Sequence, residues 1–345
     1  MTLKRAAAWF VVVLLAPQCS GRAAEGSGWE RCEFVEPHMG TLFRIVLFTP
    51  HPATSQEAAR TAFDRISALN RILSDYDSES ELMRLCRHPF GKPVPVSTDL
   101  FTVLQRSQEL AELTHGAFDV TLGPLVRLWR ETRRTGALPD SAARAQATRS
   151  VGFAHLHLDS STRTVTLTKS GMQLDFGGLA KGYAADEALA LLTQLGFTRA
   201  MVAAGGDLAL GDPPPGKTGW KIELAPFGSA TDTPLTLLLA HCGVSTSGDT
   251  EQFVEIDGER YSHIVNPTTG LGLTKPIAVT VIARNATLSD GLATACSVLD
   301  IDGVRSLVGR TPELRRVMVH QANADGSVSR TIYDQPPNAR SLSSP

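Results

Sequence analysis

Asp175-Phe-Gly-Gly-Leu-Ala-Lys-Gly-Tyr183 brings an acid, two glycine-rich steps and a lysine to the point where an apolar strand gives way to a helix. Glycine lets a backbone approach a ligand closely, and the first amides of a helix attract phosphate. The spacing matches neither the P-loop nor G-x-G-x-x-G, so neither a nucleoside triphosphatase nor a Rossmann enzyme follows from it. Taken alone, the stretch also reads as an ordinary strand-to-helix turn with Lys181 in solvent. Asp290 and Thr294 stand four apart on a predicted helix, so their oxygens leave one face and can share a cation. Oxygen ligands suit magnesium, which completes its shell with water and phosphate oxygens. The structural alternative is that Asp290 complements the positive end of its helix while Thr294 bonds back to its own backbone. His263, in Tyr261-Ser-His-Ile-Val-Asn-Pro-Thr-Thr-Gly270, lies where a strand hands over to a turn. A histidine there can take a proton from a hydroxyl near neutral pH, or serve only as a hydrogen-bonded structural residue. Ala204-Gly-Gly-Asp207 and Ser245-Thr-Ser-Gly-Asp249 read as turns by composition.

The elements that must position these residues are legible in outline. Residues 41–49 read as a strand, and 56–73 as a helix with Ala59, Ala62, Phe63, Ile66, Leu69 and Ile72 at helical spacing, Thr54 and Glu57 forming its capping box. A second helix is predicted over 99–113, with Gly116 just beyond it. Residues 156–158 and 165–168 read as a hairpin, and 253–256 with 261–265 flank an Asp257-Gly258 turn. Helices are predicted over 182–195 and 288–299, and a proline-rich loop over 212–216. Hairpins mixed with helices argue for an α+β fold over a purely parallel sheet. No internal repeat is visible in the sequence.

The 345 residues carry 33 lysines and arginines against 35 acids, so no general polycation is available for a nucleic-acid backbone. Lys4 and Arg5 precede the apolar run from Ala6 to Ala16, with small residues around Gly21, Ala23 and Ala24. Residues 1–24 are therefore expected to be a signal peptide, the run being too short to span a bilayer comfortably. Cys19 follows Ala-Pro-Gln, a poor lipoprotein box because Gln18 stands where a small residue belongs; export is the expectation, and anchoring through a lipid on Cys19 its variant. Cys32, Cys86, Cys242 and Cys296 are too sparse for a disulfide scaffold and lack zinc spacing, so they read as buried thiols with room for one disulfide. Residues 29–334 read as one catalytic unit, and 335–345 as a tail too poor in apolar residues to pack.

Taken in order, Met39-Gly-Thr41, Leu73-Ser-Asp-Tyr76, Gly116-Ala-Phe-Asp-Val-Thr121 with Gly123-Pro-Leu125, residues 175–182, Gly205-Gly-Asp207, Thr246-Ser-Gly248, Ser262-His263 and Asp290 to Thr294 resemble the ApbE family of FAD:protein FMN transferases. No single piece decides this; the ordered set is specific and covers nearly the whole chain after the leader. The resemblance implies two related, T-fold-like α+β halves with FAD bent between them beside a divalent metal. It implies magnesium on the carbonyl of Gly178 and the side chains of Asp290 and Thr294. Met39, Tyr76, Ala117, Phe118, Asp119, Asp175, Lys181, Ile264 and Ala293 would line the FAD site, and His263 would be the base. Thr250 and Gln252 stand where the family commonly has an aromatic residue and an arginine, Asn266 replaces an aspartate, and Ala203 an asparagine. None of these departures removes a metal ligand.

The implied reaction is attack by an acceptor threonine or serine on the flavin-side phosphorus of FAD, with AMP leaving. Lys181 would add positive potential, and the acceptor would be a membrane or periplasmic redox protein. Two other readings use the same residues: hydrolysis of FAD to FMN and AMP, and non-catalytic FAD binding outside the cytoplasm. AMP release without a labelled acceptor marks the first, and FAD retention without AMP the second.

Overall fold

In the computed structural model, which describes residues 28–225, 227, 234–248, 253–323 and 327–335, the chain opens with a hairpin of β1 (Glu30–His38) and β2 (Thr41–Thr49). Its two-residue turn is Met39-Gly40, with φ of 48° and 72°, the left-handed geometry that follows the twist of paired strands. Next comes α1 (Pro52–Leu73), burying Ala59, Ala62, Phe63, Ile66 and Leu69 as their spacing predicts. Its start differs from expectation. Proline suits the first helical turn because its missing N–H would be unpaired there anyway. The helix therefore begins at Pro52, and Thr54 Oγ1 donates to the His51 carbonyl at 3.1 Å instead of forming a box with Glu57.

A long insertion follows, made of α2 (Glu81–Arg87), β3 (Val94–Pro95), α3 (Thr98–Leu113), α4 (Gly123–Thr135), α5 (Ser141–Arg149), β4 (Leu156–Asp159) and β5 (Thr164–Leu167). It leads into α6 (Ala180–Gln194), β6 (Ala200–Ala204), β7 (Asp207–Leu210) and the hairpin β8 (Trp220–Leu224) and β9 (Leu235–Leu239). The remainder is β10 (Cys242–Gly248), the hairpin β11 (Phe253–Ile256) and β12 (Glu259–Ser262), β13 (Ile277–Ala283), α7 (Ala286–Val298), α8 (Ile301–Arg310), β14 (Leu314–Ala322) and β15 (Val328–Asp334).

Eight strands form one antiparallel sheet in the order β1-β2-β6-β7-β10-β13-β14-β15. It divides into halves of the same plan, two strands, two helices, two strands: β1, β2, α1, α6, β6, β7 and then β10, β13, α7, α8, β14, β15. The α+β class and the paired halves agree with expectation. Helices α1, α6, α7 and α8 lie on one face, α6 against both α1 and α7. They bury Phe43, Ile45, Leu47, Val202, Val279, Val281 and Val317 with the main core. On the other face, Trp220, Ile222 and Leu224 of β8 cover Val46, Leu210, Val244, Ile282 and Met318. Both faces of the central strands are thus dry, which fixes their register, because a one-residue slip would exchange the two sets of side chains.

Cys242 and Cys296 are buried and Cys86 is half-buried, and none of these three is in a disulfide. Burial pushes the Cys296 thiol up to about 12 and, against a hydrogen bond from the Leu174 amide, that of Cys86 up to about 11. Gln335, first residue of the expected tail, is buried and donates its N–H to the Arg315 carbonyl at 3.2 Å. The leader with Cys19, Thr250, Gln252 and residues 336–345 lie outside the described residues. No described helix is long and apolar enough to cross a membrane.

Candidate active site

The glycine turn is held at both ends. Asp175 donates its N–H to the Val120 carbonyl at 2.8 Å, while its carboxylate accepts from the Gly177 amide at 2.7 Å and from Arg130 at 2.8 Å. Because α6 starts at Ala180, Lys181 falls in its first turn. The ammonium lies 2.7 Å from Asp207 Oδ2 and 3.6 Å from Asp290 Oδ2, and the Gly182 amide donates to Asp290 Oδ2 at 3.1 Å. Asp207 and Asp290 are both buried. One half-buried cation therefore serves two buried acids. Burial and the Asp207 charge push Asp290 up to about 7, against the pull of Lys181. Burial opposes the charge on Lys181, but Asp290 and Asp207 together hold it above the ordinary lysine value.

The position of Asp290 depends on how α7 is docked. Asn285 caps the helix through its side chain, accepting from Leu288 N–H at 2.9 Å. Asp186, from α6, accepts from the amides of Ala286 and Thr287 at 2.9 and 2.7 Å and from the Thr287 hydroxyl at 2.5 Å. A carboxylate on the first amides of a neighbouring helix satisfies donors that the helix itself cannot. It also locks α6 and α7 in register. Thr294 follows Asp290 by one turn, and a Cβ placed on Gly178 would lie 2.7 Å from Thr294 Oγ1, so the turn backbone abuts that hydroxyl. Gly178, Asp290 and Thr294 thus converge.

These residues fit magnesium. A carboxylate, a hydroxyl and a carbonyl are hard oxygen donors, and two buried acids facing a single lysine leave negative charge for a dication to offset. Among the described residues no three or more His, Cys, Asp or Glu cluster as a metal cage. With one acid, one hydroxyl and one carbonyl, the rest of the shell would come from water and phosphate oxygens.

The other expected residues fall into two groups. Tyr76 is 78% exposed, and the Arg130 guanidinium lies 4.1 Å over its ring. Met39 sits at the hairpin turn beside Thr41, whose Oγ1 is 3.0 Å from where a Cβ on Gly205 would be. Ala117 is half-buried against the main core, in which Phe118 and Ala293 are buried outright. Asp119 accepts from Thr121 N at 2.8 Å and Thr121 Oγ1 at 2.7 Å in its own turn and from the distant Phe153 N at 3.1 Å. Phe118 and Ala293 are thus core residues, and Asp119 ties its own turn to the backbone at Phe153.

His263 follows β12 directly and is half-buried; Ile264, buried, donates its N–H to Ser262 Oγ at 3.1 Å. Their loop is closed by Ser262 N–H to the Leu273 carbonyl at 2.7 Å and Leu273 N–H to the Ile264 carbonyl at 2.9 Å. Trp129 of α4 donates Nε1–H to the Gly270 carbonyl at 2.9 Å, and its ring lies 5.4 Å from that of Tyr261. Leu125 and Trp129 pack with Val265 in a separate core. Three residues with direct parts in this architecture, Trp129, Arg130 and Asp186, carry no local signal in the sequence. A cavity of about 260 Å³ opens on the other face of the sheet, between Leu208, Val244 and Thr246 and the end of β8, and neither Lys181 nor Asp290 lines it.

A model of the ApbE family matches residues 39–318. The FAD:protein FMN transferase of Treponema pallidum (strain Nichols) is 33% identical over 310 residues, covering 85% of this chain and 84% of its own. That of Klebsiella pneumoniae (strain 342) is 31% identical over 277 residues, with 78% and 79% covered. Among solved structures, the flavin transferase ApbE from Vibrio cholerae superposes with a TM-score of 0.78 at 27% identity, over 88% of this chain and 97% of that one. Since the match runs from the β1–β2 turn into β14 and takes in the elements that build the site, the chain belongs to the ApbE family.

Proposed function

We propose that this enzyme, a flavin transferase by its family, moves the FMN half of FAD onto a threonine or serine hydroxyl of an acceptor protein and releases AMP. The observation that carries the reading is Lys181 set between buried Asp207 and Asp290, with Thr294 and the Gly178 backbone adjoining. Magnesium held by Asp290, Thr294 and the Gly178 carbonyl would offset charge on the pyrophosphate and on the departing phosphate. Lys181 would add fixed positive potential for the same oxygens. His263 takes the proton from the acceptor hydroxyl. The hydroxyl oxygen bonds to the flavin-side phosphorus, the bridging P–O bond breaks, and its electron pair leaves with AMP. Holding oxygen and phosphorus in line supplies much of the acceleration. The leader expected over residues 1–24 puts the reaction outside the cytoplasm, on a membrane or periplasmic redox protein.

Purified enzyme with FAD, magnesium and an acceptor should add a flavin mass to the acceptor and yield AMP, read by intact-mass spectrometry and chromatography. Asp290→Ala should abolish both. Full activity of that variant with unchanged metal dependence would overturn the metal assignment, and AMP without a labelled acceptor would make the enzyme a hydrolase.

A further inference from the structure

The geometry points to Arg130 as a positioning residue for FAD, acting through Asp175 and Tyr76; this rests on the reading above. Its guanidinium lies 2.5 Å from Asp75 Oδ2, 2.8 Å from Asp175 Oδ2 and 4.1 Å over the Tyr76 ring. Asp75 and Tyr76 come from the segment after α1, and Asp175 from the residues leading into the glycine turn, so one side chain of α4 ties two otherwise separate edges of the site. Only a planar, forked cation can bridge two carboxylates and lie on a ring at once. Asp75 and Asp175 are largely buried, and burial with the Asp75 charge pushes Asp175 up to about 6, against the pull of Arg130 and the Gly177 amide. Without Arg130 these two acids would face each other with only that amide to hold Asp175.

The cluster is not itself an anion site. With both acids ionised, Asp75, Asp175 and Arg130 sum to one negative charge, so a phosphate would be repelled. What the cluster offers outward is Tyr76, 78% exposed although Arg130 lies over its ring. An aromatic face stiffened from behind by a cation suits a planar ring, and FAD carries two. Arg130 also follows Trp129, which holds the loop of His263 through the Gly270 carbonyl. Adjacent residues of α4 thus set the FAD side and the histidine side of the site.

The test uses the whole enzyme, with FAD affinity by calorimetry and AMP release at varied FAD. Arg130→Met should weaken FAD binding and raise KM for FAD about tenfold or more, with kcat at saturating FAD changed less than about twofold. Arg130→Lys, which keeps charge but not the fork, should restore only part of the loss. Tyr76→Leu should weaken binding alone and add little on top of Arg130→Met, because both act through one contact. An unchanged KM in a natively melting Arg130→Met enzyme overturns the proposal, as does a fall in kcat without a change in KM, or full recovery with lysine. If Arg130→Met does not fold, Arg130→Lys and Asp75→Asn decide it, since wild-type FAD affinity in both would overturn it. A wild-type enzyme that binds FAD yet forms no AMP would sink the transferase reading while leaving the Arg130 comparison intact.

Discussion

Asp290 holds its proton unusually late because burial and Asp207 outweigh Lys181, and this links metal binding, pH and stability at one carboxyl. An ordinary aspartate ionises near 3.8, whereas Asp290 in the metal-free protein reaches about 7. Between those values the folded state keeps a proton that the unfolded chain has lost. This group's contribution to stability is therefore full below the lower value and falls as pH rises through the window. Urea midpoints of the metal-free enzyme measured across that range should show the decline, and Asp290→Asn should flatten it. A slope unchanged in the variant would remove Asp290 as its cause. At this scale the sequence showed the D-x-x-x-T pair and the lysine, because local spacing alone places them. It could not show that Asp207, which reads as a turn residue, is the nearer partner of Lys181. Arg130 and Asp186 were equally hidden, since their partners lie 45 and 101 positions away and no local pattern marks them.

The α6–α7 seam determines whether those side chains meet. A Cβ on Gly182 would press into the Ala286 carbonyl and lie 2.9 Å from Asp290 Cβ. Backbone cannot yield as a side chain can, so Gly182→Ala should move α6 off α7. We expect a loss of about 1–3 kcal/mol in urea unfolding, together with weaker magnesium binding by calorimetry; native stability and metal affinity in the variant would mean that the seam has room for a methyl group. Periodicity revealed α1 and α3, each of which buries an apolar stripe, whereas α7 is buried on nearly every side. α4 has a stripe as clear, with Leu125, Trp129 and Thr132 buried and Arg127, Arg130, Arg133 and Arg134 among them, but its arginines keep its apolar content low. What a window of sequence cannot show is that Trp129 and Arg130 grip distant loops, since their partners lie far along the chain. The start of α1 was misread for a different reason: Pro52 and the Thr54–Glu57 pair both signal a helix start, and the earlier one prevails.

The two halves of the molecule meet where β7 pairs with β10 and α6 packs on α7, and the site straddles that junction. Lys181 and Asp207 come from the first half, Asp290 and Thr294 from the second. The shared plan escapes sequence comparison because the first half carries its long insertion between α1 and α6, whereas α7 runs almost directly into α8. Neither half can therefore assemble the site alone. Three sulfur atoms happen to sample this architecture, Cys86 in the insertion, Cys242 at the start of β10 and Cys296 on α7. Their high proton affinity and enclosure make them slow nucleophiles while the chain is folded. Maleimide should reach Cys86 first, and Cys242 and Cys296 only as fast as whole-chain opening allows, which pulsed alkylation with peptide mapping can time. Should Cys296 react as quickly as Cys86, the two halves would be parting far more often than their common sheet suggests. Saturating FAD and magnesium should slow the two inner sites and leave the outer one nearly unaffected, turning three unremarkable cysteines into a stopwatch for the closing of the junction.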